Sequence, residues 1–215
     1  MSVLVPYAVV PADRLPPSAG AAGAAPRTVA EGEVALVYDE REEPPGTSRS
    51  ELLAFAKVLE AVAAETPTLP VRFGTVLQDL GEARDLLRER AVEWQERLSQ
   101  VAGHVELLVH AYDDRAPRPT PPSDGGGREY LMSRAAARRH TDTMYDDLTA
   151  ALAPHCREIR RLRADHEVRL ACLVPSHGTD GLRTALGSWA GAGEGRRVTT
   201  TGPWPPFTFA EEDPS

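Results

Sequence analysis

The chain has 215 residues and a mass of 23.3 kDa, room for one large domain or two small ones, and its 41% hydrophobic and 26% charged residues are ordinary for a globular protein with a real core. No run approaches the roughly 18 apolar residues of a membrane span, and no basic stretch precedes the apolar start as a signal peptide requires, so the expectation is a cytoplasmic protein with no membrane partner. A formal charge of −8 opposes binding to a phosphate backbone, so no nucleic-acid partner is expected, and Cys156 and Cys172 are too few for a disulfide framework and too isolated for a zinc site.

Val3 to Val10 is a nearly continuous apolar run closed by Pro11, as a buried strand would be, and a loop rich in Pro, Gly and Ala follows over residues 16–26. Residues 33–39 alternate as a second strand. Ser48 with Glu51 three residues on forms a capping box, and Leu52, Phe55, Ala56, Leu59, Val62 and Ala63 recur at helical spacing behind it. The segment TLPVRFGTVL, residues 68–77, is short and broken by Pro70 and Gly74, which suits an edge strand or bulge. Asp79 and Glu82 repeat the capping box. Behind them Ala83, Leu87, Ala91, Trp94, Leu98 and Val101 make a sustained stripe that ends at Gly103, the residue type of a C-terminal cap. Val105, Leu107, Val109 and Ala111 then alternate with His104, Glu106, His110 and Tyr112 as a strand with one apolar face.

Residues 115–127 hold four prolines and three consecutive glycines, a composition poor in core-forming side chains. The expected division is therefore a first domain over 1–112, a linker over 113–127 and a second domain over 128–215. Acidity is concentrated before the linker, with ten Lys+Arg against seventeen Asp+Glu through Tyr112 and fourteen against fifteen after it. The second domain opens with a long helix to about Ala153, in which Tyr130, Ala137, Thr141, Met144, Leu148 and Ala151 fall near heptad spacing. A hairpin of residues 157–163 and 168–174 turns around Ala164 and Asp165 and points Val168, Leu170, Cys172 and Val174 to one side. Leu182, Ala185, Leu186 and Trp189 make a short helix, and residues 197–201 a final strand. Two α+β units are expected, each of a size that suits two helices on one face of a sheet in the ferredoxin-like manner.

No constellation for chemistry emerges. Ser176-His177-Gly178 lacks the glycine flanks of a nucleophile elbow, and His104 and His110, about 20 Å apart along a strand, cannot share a metal. Asp146 and Asp147 diverge on their helix, and Gly125-Gly126-Gly127 has no Lys-Ser/Thr after it. Catalytic, metal and cofactor residues are accordingly expected to be absent. The most distinctive residues are TGPWPPFTF, 201–209, a stiff proline-rich strip that carries Trp204, Phe207 and Phe209. It suits a clamp that seals the core or an aromatic surface offered to a partner.

In these segments the sequence resembles the gas vesicle protein L/F family. The pieces are, in order, YAVVPAD from Tyr7, LLAFAKVLEAV from Leu52, TLPVRFGTVL from Thr68, GHVELLVHAY from Gly103, GREYL from Gly127 and TGPWPPFTF from Thr201. The resemblance implies an N-terminal ferredoxin-like domain, a C-terminal α+β domain with a helical coiled arm, and a cytoplasmic, non-enzymatic assembly factor associated with gas vesicles. It implies partners in the small hydrophobic shell protein (GvpA type) and other gas vesicle accessory proteins, and a part in nucleation or as a minor shell component. On that basis Arg72, Phe73, Thr75, Trp204, Pro205, Pro206 and Phe207 are the expected partner-binding residues, with Gly74 and Pro203 assigned to fold maintenance. Phe55 departs from the family, where a polar residue, commonly His, is expected, and the long helix is shorter than usual. The alternative reading is a ferredoxin-like small-ligand or regulatory module whose pocket is lined by His104, Glu106 and His110.

Overall fold

A computed structural model describes residues 2–14, 26–117, 127–164 and 167–210. The loop expected at 16–26, most of the linker at 113–127 and Asp165 of the expected hairpin turn lie outside the described residues. Within them the order is β1 (Val3–Pro11), β2 (Arg27–Glu31), β3 (Val34–Arg41), α1 (Arg49–Glu65), β4 (Leu69–Pro70), α2 (Leu80–Val101) and β5 (His104–Asp113). Then follow α3 (Gly127–Leu152), β6 (Glu158–Leu162), β7 (Val168–Pro175), α4 (Thr179–Gly191), β8 (Arg196–Trp204) and α5 (Phe207–Ala210). The chain forms two compact units, residues 1–104 joined by 204–215, and residues 105–203. Both are α+β units built on a four-stranded antiparallel sheet, as expected.

The first unit has the strand order β2-β3-β1-β4, so β4 is the edge, as the Pro and Gly of its segment require. Leu4 to Val10 of β1 are buried without a break, which means both faces of the sheet are covered. A register shift between Pro6 and Ala8 brings Tyr7 onto the face shared by Val10, Ala35 and Val37, where Phe55, Val58, Leu59 and Val62 of α1 pack. Leu36 and Val9 point the other way, toward α2. One helix covers each face of this sheet. The cause lies in β1 and β3, whose residues are apolar in consecutive positions and so need cover on both sides.

Both N-caps form. Glu51 N donates to Ser48 Oγ at 3.3 Å, and Glu82 N donates to Asp79 Oδ1 at 2.9 Å while Glu82 Oε2 accepts from Gln78 N at 2.6 Å. Gly103 takes φ +73 after α2, a conformation glycine adopts without Cβ strain. On α1 the buried stripe includes Val58, whereas Leu52 is exposed, so the helix is rotated slightly from the sequence reading. Strand β2 was not expected. Its sequence RTVAE buries only Val29, and it is held by backbone pairing to β3 instead of by an apolar pattern.

The second unit runs β5, α3, β6, β7, α4 and β8 in that order, a βαββαβ pattern, with the sheet arranged β6-β7-β5-β8. Strand β5, read from the sequence as the last strand of the first domain, is central in this sheet. Its Leu107, Val109 and Ala111 meet Val168, Leu170, Cys172 and Val174 of β7, and Met144, Leu148 and Leu152 of α3 cover the same face with Leu182, Leu186 and Trp189 of α4. The β6–β7 hairpin pairs Glu158 with Leu173 as its spacing predicts. All buried residues of α3 lie from Met144 onward, and Leu131 and Met132 near its start are exposed.

Leu148, fully buried at the α3 seam, is expected to lose about 2–5 kcal/mol of stability on Leu148→Ala in urea titration. Leu131→Ala, 65% exposed, should stay within about 0.5 kcal/mol of the parent.

Candidate functional site

The RFGT segment is a β-turn at the sheet edge. Thr75 N donates to Arg72 O at 3.2 Å, Thr75 Oγ1 donates to the same oxygen at 2.8 Å, and Gly74 takes φ +89 at the third turn position. A side chain there would be strained, which gives Gly74 a backbone role. The turn distributes its side chains over both faces of the sheet. Phe73 packs edge-on to Phe55 with centroids 5.2 Å apart, and Phe55 stacks at 5.0 Å on Tyr7, so Phe73 belongs to the α1 side. Arg72 and Thr75 face the α2 side.

There they border a cavity of about 340 Å³. Its walls are Pro6 and Val9 of β1, Leu36 of β3, Leu69 and Pro70 of β4 with Val71 beyond, Leu86, Arg90 and Trp94 of α2, and Ala210 of α5. The apolar walls are largely buried: Val9, Leu36, Leu69, Trp94 and Ala210 are all below 10% exposure. Arg90 is held in one plane. Its Nε donates to Glu93 Oε2 at 2.9 Å, its Nη2 to Glu93 Oε1 at 2.5 Å, and its guanidinium lies 5.1 Å from the Trp94 ring centroid. The one-turn spacing of Arg90 and Trp94 on a helix was a readable signal for this arrangement. Inclusion of Leu36 and Ala210 was not, because it depends on tertiary placement.

The C-terminal strip has two kinds of residue. Pro205, Pro206, Phe209 and Ala210 are buried, Phe207 N donates to Pro205 O at 2.8 Å, and α5 packs on β4 and α2 of the first unit. Trp204 and Phe207 are 40% and 44% exposed. Buried prolines thus anchor a backbone that presents two aromatic rings. Of the expected site residues, Arg72 and Thr75 share the cavity with the end of the strip, Phe73 is turned into the α1 core, and Trp204 and Phe207 remain at the surface.

On the α1 side, Tyr7 donates to Asp39 Oδ2 at 2.5 Å and accepts from Arg41 Nη2 at 3.2 Å, and Arg41 pairs with Asp39 at 3.6 Å. Burial first, then the hydrogen bond and charge of Asp39, push the Tyr7 hydroxyl up to about 12. In the second unit Glu106 is buried at 3% exposure on the sheet face away from α3 and α4, while His104 bonds the carbonyl of Ala102 at 2.8 Å. Ser176 and His177 are exposed in a short 3-10 turn. Interaction with Cys172 lowers the Cys156 thiol, and interaction with Cys156 together with burial raises that of Cys172. Among the described residues no cluster of three or more His, Cys, Asp or Glu could hold a metal, and no helix is long and apolar enough to cross a membrane.

Comparison with known proteins agrees with this architecture. The model of the gas vesicle synthesis protein GvpL/GvpF family matches residues 4–211. Gas vesicle protein L of Streptomyces sp. (strain CB03234) is 29% identical over 181 residues, which is 73% of this chain and 68% of that one. Two crystal structures share the fold. GvpF from Anabaena sp. PCC7120 has a TM-score of 0.82 at 18% identity, covering 99% of this chain and 98% of its own. GvpF from Microcystis aeruginosa has a TM-score of 0.78 at 19% identity, covering 97% and 99%.

The Tyr7 pair makes stability pH-dependent in a defined direction. Its folded value, about 12, lies above the ordinary 10.0 of an unfolded tyrosine. The stabilisation is complete below about pH 10 and is lost as pH rises toward 12, because the unfolded chain then releases a proton that the folded chain keeps. In urea titrations at stepped pH, Tyr7→Phe is expected to flatten the fall in stability between pH 10 and 12 relative to the parent.

Proposed function

We propose a role that proceeds from one premise: this chain belongs to the gas vesicle synthesis protein GvpL/GvpF family. In that role it is a cytoplasmic assembly factor, associated with gas vesicles, that binds the small hydrophobic shell protein (GvpA type) and helps the vesicle nucleate or form. It needs no cofactor and carries out no catalysis. A very apolar subunit requires a partner that covers its surface until it polymerises, and a pinned aromatic patch on an otherwise charged body has the chemistry for that task. Other gas vesicle accessory proteins are further partners in this reading.

The observation that carries it is the strip at the C-terminal end of the described chain. Trp204 and Phe207 stand exposed on a backbone fixed by buried Pro205, Pro206 and Phe209, so their rings are offered with little ordering cost on binding. Rings with only a packing duty would be covered by their own unit. The chain's net charge of −8 helps keep a complex with an apolar client soluble.

The test is co-expression with the shell protein, affinity capture, and measurement of how much shell protein stays soluble. The parent chain is expected to retain it. Trp204→Ala with Phe207→Ala should cut the captured amount about 10-fold or more while leaving the thermal midpoint within a few degrees. Unchanged capture by a folded double variant would remove the strip from the interface.

A further inference from the structure

We infer that the chain associates with a second copy of itself by laying the outer face of α2 against the outer face of the first half of α3, antiparallel, with opposite charges flanking a small apolar centre. Both surfaces belong to this chain and neither includes the C-terminal strip, so the contact stands or falls independently of the function proposed above.

Both faces are bare in the folded chain. On α2 the buried stripe is Ala83, Leu87, Trp94, Leu98 and Val101, and Glu89, Val92 and Glu96, spaced by three and four residues, lie on the opposite side. On α3 no residue before Met144 is buried, and Arg128, Leu131, Met132, Ala135 and Arg139 recur at helical spacing on the side away from Met144 and Leu148. Val92 is 71% exposed and Met132 62%, so nothing among the described residues covers either face. The charges on them are uncommitted: among the described residues no hydrogen bond or ion pair engages the side chains of Glu89, Glu96, Arg128 or Arg139. Asp85, which continues the α2 stripe, is paired with Arg88 and takes no part.

Register follows from the spacing. With Val92 of one copy set against Met132 of the other in the antiparallel sense, Glu96, four residues on, meets Arg128, four residues back. Glu89, three residues before Val92, falls opposite Ala135, and the long side chain of Arg139, one turn further, reaches its carboxylate. Two opposite-charge pairs thus flank an apolar centre of Val92, Leu131 and Met132. The parallel sense loses both pairs, since it sets Glu89 against Glu129 and Glu96 against Ala136. A contact of a few turns per helix falls short of the roughly 1,200 Å² of a standard stable interface, so it is weak and sensitive to salt. Because α2 meets α3 and not another α2, every copy offers both halves of the contact.

The test is sedimentation velocity on the full chain over a concentration series from about 10 μM to about 1 mM. The parent is expected to self-associate at about 50 mM salt and to do so about 10-fold more weakly at about 500 mM. Glu89→Gln with Glu96→Gln in one variant, and Arg128→Gln with Arg139→Gln in another, should each weaken association about 10-fold or more. All four residues are exposed, so both variants should keep the parent's thermal midpoint within a few degrees. Mixing the two variants is the decisive arm. Each retains the face the other has lost, so the mixture should form one-to-one pairs with close to the parent's affinity where each variant alone stays monomeric. A parent that is monomeric throughout at low salt, variants that associate as well as the parent, or a mixture that stays monomeric would each overturn the inference. Weakening by the α2 variant with none by the α3 variant overturns it too, because that result places α2 against α2.

Discussion

The first unit depends on a strand that cannot tolerate water on either side. From Leu4 to Val10 every residue of β1 is buried, so helices must lie on both faces of its sheet, and the α1 and α2 stripes supply them. The segment between these helices has to pass the sheet edge, and it does so in β4 and the turn that follows. This geometry explains how one four-residue turn serves both layers. Phe73 extends the Tyr7 and Phe55 stack under α1, and Arg72 and Thr75 reach the cavity under α2. Had the sheet been covered on a single face, the same turn would have left the side chains of its other face against solvent.

Local signals in the sequence were reliable, and assignments that depend on long-range pairing were not. Ser48, Asp79 and Gly103 mark helix ends because each satisfies a backbone group within a few residues, and those caps form as read. The alternation of Leu107, Val109 and Ala111 likewise predicts a strand with one apolar face. Nothing in that alternation says which sheet the face completes, and β5 joins β7 and β8 in the second unit instead of β1 in the first. The same limit hid β2, since RTVAE owes its place to backbone bonds with β3, and it hid the cavity, whose walls come from five separate elements. Arg72 and Thr75 could be singled out beforehand, whereas Leu36 and Ala210 could not, because adjacency of that kind exists only after folding.

Motif agreement mixes residues that hold the fold with residues that face outward, and the structure separates them. In RFGT, Gly74 answers a backbone requirement, Phe73 a packing one, and Arg72 and Thr75 are left at the cavity mouth. In WPPF the two prolines are buried and the two aromatics exposed. Stiff backbone is what makes this useful: a proline pair has little conformational freedom left to lose, so the flanking rings are already positioned. The fold of both units is shared with GvpF crystal structures, and within these short strings buried and exposed side chains divide the duties of holding the fold and facing outward.

The return of the chain to its first unit has a consequence for biogenesis. Residues 105–203, the whole second unit, are made between α2 and the segment that contributes Ala210 to the cavity wall. On the ribosome the sheet and helices of the first unit can therefore fold early, while its cavity remains incomplete until the second unit has emerged. Synthesis order alone thus delays completion of the cavity until the rest of the body is present, and a nascent chain stalled within the second unit has the first unit's core but not the last wall of its cavity.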